Sequence, residues 1–213
     1  MKINKKQIEY NRTVRTQKPI YIVIHDTGNT GKGANANAHF NYFNGGNRNS
    51  SADFFVDDTR VLQVNDYTKY YTWHCGDGKG KYGITNSNSI GIEICINSDG
   101  NYNIAFQNAV ELTKHLMKEL NIPVERVVRH YDASRKNCPA SMSGNNWELW
   151  SKFKEALVMQ TELTSVNDIT WELAHRGIIT DKRLWLKKLE TDTNSYWLAR
   201  KTVKYLREKG VYK

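Results

Sequence analysis

No stretch of the 213-residue sequence approaches the roughly 18 consecutive apolar residues of a membrane-spanning helix, so no such span is expected. The first nine residues, Met1-Lys2-Ile3-Asn4-Lys5-Lys6-Gln7-Ile8-Glu9, carry charges but no apolar h-region. A secretory signal is therefore not expected, and synthesis in the cytoplasm is. Cysteine is scarce and odd in number. Cys75, Cys95 and Cys138 do not make a disulfide framework and suit a fold matured in a reducing compartment. An RNP-like aromatic motif, Cys-His finger spacing and a recognition helix are all missing, which argues against nucleic acid as a partner. Internal repeats are missing too.

What is present is an ordinary globular mix, with 39% hydrophobic and 25% charged residues. The length allows one domain of usual size plus a small module. Six Trp and twelve Tyr suit a sugar-binding surface as well as a core. A formal net charge of +9 draws the chain to polyanions, without choosing among nucleic acid, membrane and acidic wall polymer.

Strands and helices alternate along the first 157 residues. Ile20 to His25 reads as a buried strand, with Ile20, Ile22 and Ile24 on one face and Tyr21, Val23 and His25 on the other. Ala34 to Phe43 reads as a helix ended by Gly45 and Gly46. Ala52 to Val56 and Arg60 to Asn65 flank Asp57-Asp58-Thr59 as a hairpin. Tyr71 to Thr85 is Gly-rich and irregular. Ile90 to Ile96 is the cleanest strand, with four isoleucines on one face and Gly91, Glu93 and Cys95 on the other. Ile104 to Leu120 has helical apolar spacing. Val124 to Arg129 is a short strand leading to His130, and Trp147 to Leu157 is a further helix. A linker is expected at 159–165. The tail from 166 to 213 reads as three helices, with caps at Asn167 or Asp168, Asp181 and Ser195, and a stop at Gly177. Ile169, Leu173, Ile178, Leu184, Leu189, Trp197, Val203 and Leu206 are its candidate core. Such a module is marginal alone, so it is expected to lean on the first domain or to self-associate.

His25 and His130 at strand ends, with Cys138 eight residues beyond the second, are candidate metal ligands. Two His and one Cys with an open fourth position suit a catalytic zinc. Spacing alone does not separate this from satisfied structural histidines. A thiol peptidase with Cys75 or Cys138 as nucleophile and a His base is a second reading. A zinc nucleobase deaminase is a third, but its His-x-Glu and Pro-Cys-x-x-Cys words are missing.

Longer words narrow the choice. Tyr21-Ile22-Val23-Ile24-His25-Asp26-Thr27-Gly28 resembles the opening of the zinc amidase family that includes phage endolysins, bacterial autolysins and animal peptidoglycan-recognition proteins. The resemblance runs on through Ser51-Ala52-Asp53-Phe54-Phe55-Val56-Asp57-Asp58, Thr72-Trp73-His74 and Asn88-Ser89-Ile90-Gly91-Ile92-Glu93-Ile94. It closes with Arg129-His130-Tyr131-Asp132 and Lys136-Asn137-Cys138-Pro139. These words keep the family's order and spacing over about residues 15 to 157.

The resemblance implies an α/β fold with a mixed central β-sheet flanked by helices, followed here by a small all-α module. It implies zinc held by His25, His130 and Cys138, Glu93 as general base and Lys136 polarising the scissile carbonyl. The activity implied is hydrolysis of the bond between N-acetylmuramic acid and the first L-alanine of peptidoglycan. His74 borders the family's groove and has two readings, a substrate contact or a partly buried loop histidine. Asn88 has two readings, contact with the muropeptide or shaping of the turn before its strand. His39, His115 and His175 read as surface or packing residues, and Cys75 and Cys95 as small apolar fillers. Asp53 and Ala52 depart from relatives that carry His and Tyr there, so their part in substrate contact is open. Non-catalytic relatives, which bind peptidoglycan without cutting it, lack the zinc cysteine that this chain retains.

From Met159 onward the tail has eleven Lys and Arg against seven Asp and Glu, with Trp171, Trp185 and Trp197. Those Trp are either the small core or a surface for sugars beside cations for anionic wall polymers. Appended helical modules on similar Gram-positive lytic enzymes support the second option. The expected partner is a bacterial wall of the Gram-positive kind, reached as a released phage endolysin or an exported autolysin.

Overall fold

A computed structural model of the chain describes residues 2–158 and 166–209. They fall in two units divided at Val158 and Met159. The linker expected at 159–165 lies outside the described residues.

The first unit begins with strands β1 (Ile3–Lys5), β2 (Arg12–Val14) and β3 (Tyr21–Asp26). Helix α1 (Ala36–Asn44) follows, then β4 (Phe54–Val56), β5 (Val61–Gln63), β6 (Tyr70–Thr72) and β7 (Ser89–Ile94). Helix α2 (Tyr102–Leu120), β8 (Val127–Arg129), α3 (His130–Ser134) and α4 (Gly144–Val158) complete it. Six strands form a mixed sheet in the order β1-β5-β4-β7-β3-β8. The run β4, β7, β3, β8 is parallel, and β5 lies antiparallel to β4. β2 and β6 form a separate antiparallel pair.

Alternation along the strands sorts the core onto two faces. Ile22, Ile24, Phe54, Val56, Ile90, Ile92 and Ile94 pack with Phe106, Val110 and Leu116 of α2 and with Phe153 and Leu157 of α4. On the opposite face Phe55, Leu62 and Cys95 pack with Ala36 of α1, beside Ile8, Ala52 and Val64. Ile20 precedes β3 and is 39% exposed, so the strand begins one residue later than the β-branched run suggests. Helix α1 starts at Ala36 because the Asn35 side chain accepts from the N–H groups of Asn37 and Ala38, a capping role Ala34 cannot fill. Asn145, Asn146 and Trp147 take positive φ, so regular helix in α4 begins just after them.

Asp53 is fully buried. Its Oδ1 accepts from Asn65 Nδ2 at 2.7 Å, and its Oδ2 from Thr72 Oγ1 at 2.9 Å and the Gly91 N–H at 2.8 Å. Burial pushes its pKa up, against the pull of these donors and the Arg15 charge. The carboxylate therefore ties β6 and the loop before it to the middle of β7. Ala52 beside it is equally buried. Both positions are interior packing.

The second unit contains α5 (Val166–His175), α6 (Lys182–Thr191) and α7 (Thr193–Lys209). Gly177 takes a left-handed φ of 65° just past α5, as a helix stop requires. Asp181 caps α6 by accepting from the Leu184 N–H at 3.0 Å. Helix α7 starts before Ser195, whose hydroxyl instead donates to Asp192. The Asp192 carboxylate also accepts from the Asn194 N–H, so Asp192 displaces Ser195 as the capping group. Side chains 167, 168 and 171 lie outside the described set. The core is Ile169, Leu173, Ile179, Leu189, Ala199 and Val203, with Trp185 packed against it. Ile178, Leu184 and Trp197 are exposed; at the first of these, Gly177 turns the chain so that Ile179 rather than Ile178 enters the core. No helix among the described residues is long and apolar enough to cross a membrane.

Replacing Asp53 by Ala should lower the free energy of unfolding by about 3 kcal/mol, because three buried donors lose their acceptor. Urea unfolding of both proteins checks this. A loss below about 0.5 kcal/mol would mean the network does not hold the sheet.

Candidate metal centre

The three parallel strands β7, β3 and β8 end side by side, and the site sits at those carboxyl ends. His25 pairs in register with Glu93, and Ile24 with Arg129 just before His130. His130 opens α3, where the Arg129 guanidinium and backbone N–H both donate to Asp132. Cys138 returns to the same point because the Tyr131 N–H donates to its carbonyl at 3.0 Å.

His25 Nδ1, Cys138 Sγ and a His130 ring nitrogen belong to a group whose ligand atoms all lie within 4.8 Å of one another, and all three residues are buried. Sγ of Cys138 is 3.7 Å from His25 Nδ1. Ligand atoms around a tetrahedral zinc stand roughly 3.5 Å apart, so small side-chain shifts suffice to hold one. The His130 Nδ1 is buried without a hydrogen-bond partner, while its Nε2 donates to Asp77 Oδ1 at 2.7 Å. A histidine with one nitrogen tethered and the other bare is prepared as a ligand. Glu93 stands at the rim, 18% exposed, with Oε1 3.9 Å from His25 Nδ1 and Oε2 unpartnered. The donor set therefore fits a divalent cation.

Residues 15–141 match the N-acetylmuramoyl-L-alanine amidase family. The chain belongs to that family. It is similar to CwlH of Bacillus subtilis (strain 168), at 41% identity over 67% of this chain and 54% of the relative. It is also similar to XlyA of the same organism, at 40% identity over 69% of this chain and 47% of the relative. CwlA of that organism is 31% identical over 92% of this chain and 64% of its own length. The chain thus spans about half the length of the first two relatives. The solved catalytic domain of XlyA has a TM-score of 0.65 at 38% identity, covering 74% of this chain and 99% of that one. A mutant endolysin from Bacillus subtilis gives 0.66 at 40% identity, over 73% and 98%.

In this amidase-family centre, burial dominates the electrostatics. It holds the His25 pKa well below the usual histidine value, aided by the charges of His130, His74 and Lys136. Burial also carries the Cys138 thiol up to about 12 and Glu93 up to about 8, with Asp26 adding to the rise at Glu93 and Lys136 opposing it. Lys136 itself is exposed, so its amine is free to meet an incoming group. His74 is buried, with Nδ1 3.1 Å from His25 Nε2 and Nε2 3.1 Å from Ser89 Oγ. The substrate contact expected of it finds no free ring nitrogen. Asn88 accepts from the Thr85 N–H and donates to the Gly83 carbonyl, so its side chain shapes the turn before β7.

Of the remaining histidines, His39 is buried against Phe55, and His115 pairs with Glu119 on the surface of α2. Cys75 and Cys95 are buried fillers. Sequence reasoning missed Asp77 and Ser89. The flanking Gly76 and Gly78 are the one local signal for Asp77. A Cβ at Gly78 would lie 2.0 Å from the Ala133 carbonyl oxygen, so only glycine lets this loop reach α3.

Glu93 makes a pH prediction. Its folded pKa of about 8 lies above the reference of 4.5. Between those values the folded chain holds a proton that the unfolded chain releases, so chelator-treated protein should lose stability as pH rises through that window. His25 and His74 act oppositely, losing stability as pH falls below 6.5. Comparison with Glu93→Gln isolates the carboxyl term, which should amount to roughly 2 kcal/mol between pH 5 and pH 8 after allowance for partial exposure. Parallel urea-unfolding curves for the two proteins across that range would contradict it.

Proposed function

We propose that this chain hydrolyses the amide bond between N-acetylmuramic acid and L-alanine in bacterial peptidoglycan, with one zinc ion held by His25, His130 and Cys138. The observation that carries the reading is the buried His-His-Cys set with the Glu93 carboxyl at its open side. Family membership and the named amidase relatives support the bond assigned.

Zinc bound there supplies a Lewis acid and lowers the pKa of water to about 7. The chain's own groups do the rest. Glu93 takes a proton from the attacking water and returns it to the leaving alanine nitrogen. Its raised pKa suits a group that must both accept and release a proton near neutral pH. Lys136 presents a positive charge to the oxyanion that develops on the scissile carbonyl. Asp77 holds the His130 ring in one orientation through the hydrogen bond at Nε2. The thiol-peptidase alternative needs a thiolate, but burial holds both Cys138 and Cys75 near 12, and neither thiol opens an α-helix.

Digestion of isolated walls followed by mass spectrometry of the products tests the bond. Glycan strands free of peptide and peptides beginning with L-alanine are expected. Glu93→Ala should cut at least 100-fold more slowly, and a zinc chelator should abolish activity until zinc is returned. Cleavage at any other bond, or full activity under chelation, would overturn the assignment.

The second unit is proposed to hold the enzyme on the wall. Trp197, Leu198 and Tyr205 are exposed on α7 together with Lys201 and Lys204. Arg200 lies 5.4 Å from the Trp197 ring centre. Aromatic faces suit sugars, and the cations suit anionic wall polymers. Deleting residues 161–213 should weaken sedimentation with isolated walls while leaving cleavage of soluble muropeptides unchanged. Equal wall binding by the truncated chain would remove this role.

A further inference from the structure

We propose that His74 is a positioning residue that fixes the tautomer of His25 for metal binding, through a chain of hydrogen bonds running Thr85, Ser89, His74, His25. This rests on the zinc reading above and assigns the part played by groups behind the ligand.

The direction of every bond in the chain follows from its far end. The Thr85 carbonyl can only accept, so the Ser89 hydroxyl donates its single proton there at 2.5 Å. Ser89 Oγ must then accept from His74 Nε2 at 3.1 Å. A neutral His74 protonated at Nε2 has its lone pair on Nδ1, where it accepts from His25 Nε2 at 3.1 Å. The remaining lone pair of His25 is on Nδ1, the atom that faces Cys138 and Glu93. Cys75 Sγ, 3.7 Å from Ser89 Oγ, adds a second donor to the same oxygen.

The surroundings keep the relay in register. The backbone N–H groups of His74 and Cys75 both donate to Asn86 Oδ1, at 3.0 and 2.7 Å. The His74 ring lies against the backbone of β7 at Gly91, where a Cβ would come within 2.7 Å of the ring. The two ligating histidines are thus oriented by different means, His130 by the Asp77 carboxylate and His25 by the His74 imidazole.

Two measurements on the full chain test this. Zinc affinity is read by chelator competition for wild type, His74→Phe and His74→Gln. Loss of the acceptor in His74→Phe should weaken zinc binding by about 10- to 100-fold. His74→Gln keeps an acceptor and a donor and should recover part of that loss. Equal affinity in all three overturns the relay, and a wild type that binds no zinc overturns the metal reading instead. Long-range proton–nitrogen NMR of the metal-free wild type reads the tautomers without any variant. Protons on Nε2 of both His25 and His74 are expected. A His25 carrying its proton on Nδ1 overturns the relay whether or not zinc binds.

Discussion

His25 and Glu93 face each other across neighbouring parallel strands, and the site depends on that register. Side chains alternate with a period of two, so a slip of one residue between β3 and β7 would turn Glu93 away from His25 and carry three isoleucines out of the core. The register is therefore held by apolar burial on one face, at Ile22, Ile24, Ile90, Ile92 and Ile94. The polar face inherits its geometry from that packing. Fixing reactive groups on strand ends gives a rigidity that loops do not supply. Here β8 adds His130 at the same level as His25.

Rigidity on the polar face has a cost. Asp53, His25, His74 and His130 are all nearly or fully buried, and each unsatisfied polar atom there costs roughly 1–3 kcal/mol. Most of these atoms have partners inside the protein. The exceptions at the centre are Glu93 Oε2 and His130 Nδ1. Both belong to groups that gain from a nearby cation, one as a carboxylate and one as a lone-pair donor. A bound cation also brings Cys138 down from its raised pKa, since a coordinated thiol is deprotonated. Folding strain and metal affinity are thereby two views of one arrangement.

How much of this was legible in the sequence follows the range of the interactions. β3 and β7 were visible because continuous apolar runs mark doubly covered parallel strands. β1 and β2 were not, being three-residue strands with largely polar, exposed side chains. His25, His130 and Cys138 carry no local signature, since 105 residues separate the two histidines. Only the family words joined them. The part of His74 was hidden because its partners, His25 and Ser89, are 49 and 15 residues away. The burial of Asp53 was hidden for the same reason, its donors coming from Asn65, Thr72 and Gly91. In the second unit the helical period correctly found Ile169, Leu173, Leu189 and Val203. It chose Ile178 over Ile179 because a period read through Gly177 ignores the turn that glycine makes.

The second unit shows a different economy from the first. Among the described residues its core is six buried side chains, yet Leu184, Trp197, Leu198 and Tyr205 stay exposed. It also buries an ion pair between Arg176 and Glu172, which a purely apolar core would match or better in stability. A module selected only to be stable would turn those large side chains inward. Leaving them on the outside beside Lys201 and Lys204 makes sense if the surface, not the core, is what the unit contributes. The hydrolysis proposed for the first unit needs groups fixed to fractions of an ångström, whereas the wall adhesion proposed for the second needs area and charge. A small three-helix scaffold meets the second requirement without the dense parallel sheet demanded by the first.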